Sequence, residues 1–82
     1  MKSKKELLTE ILEENQKTLF VREVDMIYHK DILIPRYLKE KDKNIRKQKV
    51  DKAEGDVVAI TTLISDLKGI SKIVNKMIKE IK

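Results

Sequence analysis

The sequence predicts an all-α fold: a small helical hairpin or bundle with one long, heptad-patterned C-terminal helix, completed by oligomerisation. Three observations carry that prediction. The residues Val50, Ala53, Val57, Ile60, Ile64, Leu67, Ser71, Val74, Ile78 and Ile81 follow one another at spacings of three and four, which draws one continuous stripe along a helix. Charged residues make up 40% of the 82-residue chain and aromatics only 4%, a balance that suits solvent-laced helices and not an all-β core. The one stretch rich in β-branched and aromatic residues, from Thr18 to Ile34, contains no Gly, Asn-Gly or Asp-Gly with which to turn a hairpin of strands.

Taken in order, the chain opens on Ser3-Lys4-Lys5-Glu6, a capping box in which the Ser hydroxyl accepts from the Glu6 N–H and the Glu carboxylate reaches back to Ser3. The helix that starts there carries Leu7, Leu8, Ile11, Leu12 and Leu19 on one side and Glu6, Glu10, Glu13, Glu14 and Lys17 on the other, interrupted by Asn15. Between Thr18 and Ile34, Phe20, Val21, Val24, Ile27, Tyr28, Ile32 and Ile34 favour strands by propensity. Helical spacing is nevertheless served by Phe20, Val24, Ile27, Tyr28 and Ile32, so the expectation is a helix over about 3–32, continuous or kinked, with a strand as the alternative. Pro35 disfavours the helical conformation at Ile34 and suits the first position of a new helix. The chain reversal is therefore expected near Leu33–Arg36.

From Arg36 to Lys52 the pattern is helical but polar, anchored by Tyr37, Leu38 and Ile45. Asp42-Lys43-Asn44 can form a turn and Asp51 with Glu54 can cap a fresh start, so the last helix begins anywhere between Arg36 and Lys52. With Val57 as heptad position a and Ile60 as d, the g positions are Asp56, Leu63, Ile70 and Met77, and three of them widen the stripe beyond a narrow two-helix seam. The residues expected to form an oligomer interface are accordingly Val57, Ile60, Leu63, Ile64 and Leu67, continued by Ile70, Val74, Met77, Ile78 and Ile81. Both glycines, Gly55 and Gly69, fall at position f, where a helix touches nothing. One continuous helix is the preferred reading, and a break at Gly69 with Ser71 capping a new helix is the competing one. No repeat, linker or second-domain boundary is visible, so residues 1–82 read as one domain.

At this length a folded chain buries only about 60% of its unfolded surface. The absence of Cys leaves oligomerisation as the remaining source of stability. No run approaches the roughly 18 apolar residues of a membrane span, and the Lys-rich start lacks an apolar signal-peptide core. A cytoplasmic protein without membrane association is expected.

The formal charge of +5 is not spread evenly. Residues 36–52 hold eight basic side chains against three acidic ones, whereas the remainder has eleven of each sign. In a helix, Arg36, Lys39, Lys43, Arg46 and Lys47 form a stripe of cations suited to a polyanion such as nucleic acid. The plainer reading is a solvated helix with internal pairs such as Glu40–Lys43 or Asp51–Lys47.

Elsewhere chemistry is sparse. His29 is the only histidine and has no nucleophile beside it, so a surface or helix-edge position is favoured over acid–base work. Glu10, Glu13 and Glu14 read as a solvated face before they read as metal ligands. Ser65, Thr61 and Thr62 lie mid-helix, where hydroxyls bond back to carbonyls. No phosphate-binding glycine loop is present. No enzyme activity, cofactor or metal is expected. In size and composition alone, and through no particular residue, the chain resembles small helical accessory and inhibitor proteins of phages and mobile elements. The leading expectation is a self-associating interaction module that binds or inhibits a partner protein. Two others stand beside it: a dimeric, sequence-independent nucleic-acid binder using residues 36–52, and an oligomer that sequesters a small anionic ligand between subunits.

Overall fold

The computed structural model describes residues 1–81. Helix α1 (Lys4–Tyr28) runs into a single π-turn (His29–Leu33) and a short helix α2 (Ile34–Leu38); after a tight turn, α3 (Lys43–Glu80) returns antiparallel along the whole length. The result is a rod of 62 × 17 × 16 Å. No strand occurs among the described residues.

Each boundary has a local cause. The Ser3 hydroxyl accepts from the Glu6 N–H at 3.1 Å, which supplies the cap at the start of α1. The Asp42 carboxylate accepts from Asn44 and Ile45 N–H at 2.9 and 3.1 Å and so fixes the start of α3. Thr18–Ile34 is helical throughout, with no strand. In α3 the backbone passes through Gly55 and Gly69 unbroken, and a Cβ at either would meet nothing within 4 Å. The heptad helix therefore continues past Gly69 and reaches upstream to Lys43.

The reversal does not fall near Leu33–Arg36. Ile34 is helical, with φ −61° and ψ −48°, and its N–H bonds to the His29 carbonyl five residues back. A proline inside an α-helix collides with the carbonyl four residues earlier and lacks an N–H to offer it. Here the π-turn inserts one extra residue just before Pro35, widening the backbone where that collision would occur, so the helix carries on with a local distortion. The chain turns one helical turn later. Lys39 and Glu40 N–H close three-residue loops onto Arg36 and Tyr37 carbonyls at 3.2 and 3.1 Å, and Asp42 opens α3.

The core is the seam between α1 and α3. On α3 it is the predicted stripe, with Ala53, Ile60 and Val74 buried. On α1 and the π-turn the inward residues are Leu8, Leu12, Asn15, Leu19, Arg22, Met26, His29 and Leu33, all buried or half-buried, at alternating spacings of four and three. That is a second heptad, with a at Leu12, Leu19, Met26 and Leu33 and d at Leu8, Asn15, Arg22 and His29. Three of its eight positions are polar. Asn15 shows how one of them is accommodated: its amide donates to the Leu67 carbonyl at 2.7 Å and to Ser71 Oγ at 2.5 Å. Only one alignment of the helices makes both bonds, so Asn15 with Ser71 sets the register of the hairpin.

Candidate functional site

The seam spends most of the residues expected to form an oligomer interface inside the hairpin. Ile60 and Val74 are buried against α1, and Val57, Ile64, Leu67, Ile78 and Ile81 are half-buried. Leu63, Ile70 and Met77, the g positions, remain exposed. What stays free is therefore one flank of the predicted stripe.

That flank is continued by a second helix. In each helix the g and c positions immediately precede the seam residues a and d. In an antiparallel pair the same-lettered flanks of the two helices lie on the same side of the ribbon, because the two-fold axis relating them runs normal to it. On this side α1 and the π-turn place Leu7, Ile11, Val21, Tyr28 and Ile32, and α3 places Leu63, Ile70, Ile73 and Met77. All nine are between 38% and 62% exposed. The Asn15 bonds to Leu67 and Ser71 set Leu7 and Ile11 level with Met77 and Ile73, so these four and Ile70 gather into one apolar patch at the open end of the hairpin. The same g and c positions also carry Glu14, Asp25, Asp56, Asp66 and Glu80, with Glu14 level with Ile70.

The opposite side, positions e and b, carries Glu13, Gln16, Glu23 and Lys30 on α1 and Asp51, Glu54, Thr61, Ser65, Lys68, Lys72, Asn75 and Lys79 on α3. Phe20, Ile27 and Val58 are its exposed large apolar residues. Phe20, Val24 and Ile27, whose spacing announced a helix, thus point away from α3 and do not build the core.

The other end of the rod is basic. Folding α2 and the start of α3 against each other converts Arg36–Lys52 from a helical stripe into a cap around the turn. Glu40 anchors it from within: its carboxylate lies 3.8 Å from Lys49 Nζ, and its carbonyl accepts from Arg46 at 3.3 Å. Lys49 also sits 5.7 Å above the Tyr37 ring. Neither Glu40–Lys43 nor Asp51–Lys47 forms an ion pair; among the described residues the cap's one pair within 4.0 Å is Lys49–Glu40. Of the five cations named from sequence, Arg36, Lys39, Lys43 and Lys47 are exposed and Arg46 is half-buried.

Between the two ends, the π-turn makes a small recess lined by His29, Leu33, Tyr37, Lys49, Lys52 and Asp56, of about 230 Å³. His29 Nδ1 lies 2.8 Å from the Asp25 carbonyl, an acceptor only, so the ring donates there. Its Nε2 is 3.8 Å from Asp56 Oδ2, beyond hydrogen-bond range. His29 is thus a seam residue and not a surface one. The recess falls short of the roughly 300 Å³ at which small-molecule pockets begin. Among the described residues no cluster of three or more His, Asp or Glu side chains is arranged to hold a metal ion, and no helix is long and apolar enough to cross a membrane.

Sequence reasoning placed Leu7 and Ile11 on an apolar side of the first helix but missed Val21, Tyr28, Ile32 and Ile73 as members of this face. The signal was present in the α1 heptad, but Asn15, Arg22 and His29 hid its phase. The chain matches no family model, no curated protein and no solved structure.

Proposed function

We propose that this protein is a non-catalytic interaction module: a helical hairpin that pairs with a second copy through the apolar side of its ribbon and acts by engaging a partner protein in the cytoplasm. The carrying observation is the asymmetry of the two sides, nine exposed large apolar residues against three. Solvated helices do not sort their apolar residues this way without an interface to cover them.

Area supports a second copy as the occupant. A folded chain of 9.6 kDa exposes about 5,100 Å², whereas the hairpin exposes 6601 Å². The excess of about 1,500 Å² is what one subunit contributes to an obligate homodimer interface. The seam alone buries four residues, Leu8, Ala53, Ile60 and Val74, none of them completely, a thin core for independent stability. Packing two ribbons face to face yields a four-helix bundle with its second core made of Leu7, Ile11, Ile70, Ile73 and Met77.

The chain has no Cys, so single introduced thiols report directly on the interface. Cys placed at Leu63, Ile70 or Met77 is expected to give covalent dimers on mild oxidation, and Cys at Thr61, Lys68 or Asn75 to stay monomeric. Equal crosslinking from both sets would refute the assignment of the face.

A further inference from the structure

We infer that the closed end of the hairpin is a phosphate-tracking surface for duplex nucleic acid, independent of base sequence and separate from the apolar side. The structure adds three things to the bare charge count. First, the acidic residues of the segment do not neutralise its outermost cations. The Glu40 carboxylate faces Lys49 at 3.8 Å, Asp42 is occupied in capping α3, and Asp51 has no cation within 4.0 Å among the described residues. Arg36, Lys39, Lys41, Lys43, Lys47 and Lys52 are exposed, and among the described residues none has a carboxylate within 4.0 Å. Second, the turn folds these six around one end of a rod about 17 Å across, while the rest of the chain is balanced in sign. The field is therefore that of a localised positive cap.

Third, the cations do not lie in one plane. At 1.5 Å per residue, Lys47 stands about 6 Å and Lys52 about 13 Å back from Lys43 along α3. With a Debye length of about 8 Å at physiological salt, a flat anionic surface touching the tip would feel little of Lys52. A strand of phosphates running past the tip reaches all six. A membrane is further disfavoured by the apolar content of the tip. Leu38 and Ile45 are its exposed aliphatic side chains, less hydrocarbon than a single myristoyl chain, which is itself a marginal anchor. The preponderance of Lys, a point charge, and the half-buried position of Tyr37, the aromatic of the tip, fit backbone contact and not base reading.

The test uses the full-length chain and two unrelated short DNA duplexes, with fluorescence anisotropy between about 50 and 200 mM salt. Six phosphate contacts at about −0.9 each predict a log–log salt slope near −5, a loss of about a thousandfold in affinity across that range, equal for both duplexes. Replacing Lys39, Lys41, Lys43 and Lys47 together with Gln should bring the slope to about −2. The matched variant with Lys68, Lys72, Lys76 and Lys79 changed to Gln carries the same net charge at the other end of the rod, and its slope should stay at the wild-type value. Helicity of both variants is checked by circular dichroism, and the wild-type slope stands whatever the variants do. Equal flattening by the two variants, a strong preference for one duplex, or binding to phosphatidylserine vesicles with none to duplex would each overturn the assignment.

Discussion

The two broad sides of the hairpin are built from adjacent residues of the same two helices, yet one carries nine exposed large apolar residues and the other three. Ile70 and Ser71, or Ile73 and Val74, are neighbours in sequence: the second of each pair closes the seam and the first stands on the exposed side. If the seam were the whole of the fold, both flanks would be free to drift toward polar residues, as Thr61, Lys68 and Asn75 do. Under the proposed pairing, that difference gives the hairpin two cores, one closed within the chain and one open to a second copy.

The largest expected effect comes from breaking the closed core. Ile60 is only 6% exposed, and Ile60→Asp places a carboxylate without a partner between α1 and α3 at a cost of several kcal/mol. Circular dichroism should show most of the helicity lost at any protein concentration. The open core should respond differently. Ile70→Glu with Ile73→Glu leaves the seam intact but repels a facing copy, so dimerisation should weaken by on the order of a hundredfold and the melting temperature should depend on protein concentration only in the wild type. The same charges at Thr61 and Ser65, on the polar side, should leave the melting temperature and its concentration dependence within the scatter of surface substitutions, about 0.5 kcal/mol.

Between these lies the register. Asn15→Ala removes the amide bonded to Leu67 and Ser71 and is expected to cost about 1 kcal/mol. Asn15→Leu with Ser71→Ala replaces both partners by apolar groups and should be neutral or stabilising, while permitting other alignments of the helices; thermal melts and amide exchange separate the two results. The smallest effect belongs to Gly69→Ala. Nothing lies within 4 Å of the added methyl, so the variant should gain up to about 1 kcal/mol from helix propensity alone, with no change in association.

The fold class and the long C-terminal helix were legible in the sequence because α3 keeps its phase from Val50 to Ile81 and puts both glycines outside. The phase of α1 was not, for a physical reason. A polar residue recurs every seventh position in its seam, at Asn15, Arg22 and His29, while Phe20, Val24 and Ile27 set an equally regular apolar spacing on the outside. Periodicity counts apolar residues and cannot tell which of two stripes meets the partner. The turn was misplaced because Pro35 is ordinarily a boundary, and a π-turn that absorbs it leaves no composition signal. Of the proposed interface, Leu63, Ile70 and Met77 were visible as a widened stripe and Leu7 and Ile11 as an apolar side of the first helix, but their level against Met77 and Ile73 followed only from the Asn15 bonds.

The central claim is that the open core is closed by a second copy. Sedimentation equilibrium across the micromolar range tests it most directly: the wild-type chain should run at twice its 9.6 kDa mass and the Ile70→Glu/Ile73→Glu variant at the single-chain mass. A folded wild-type species of 9.6 kDa at every concentration would contradict the account.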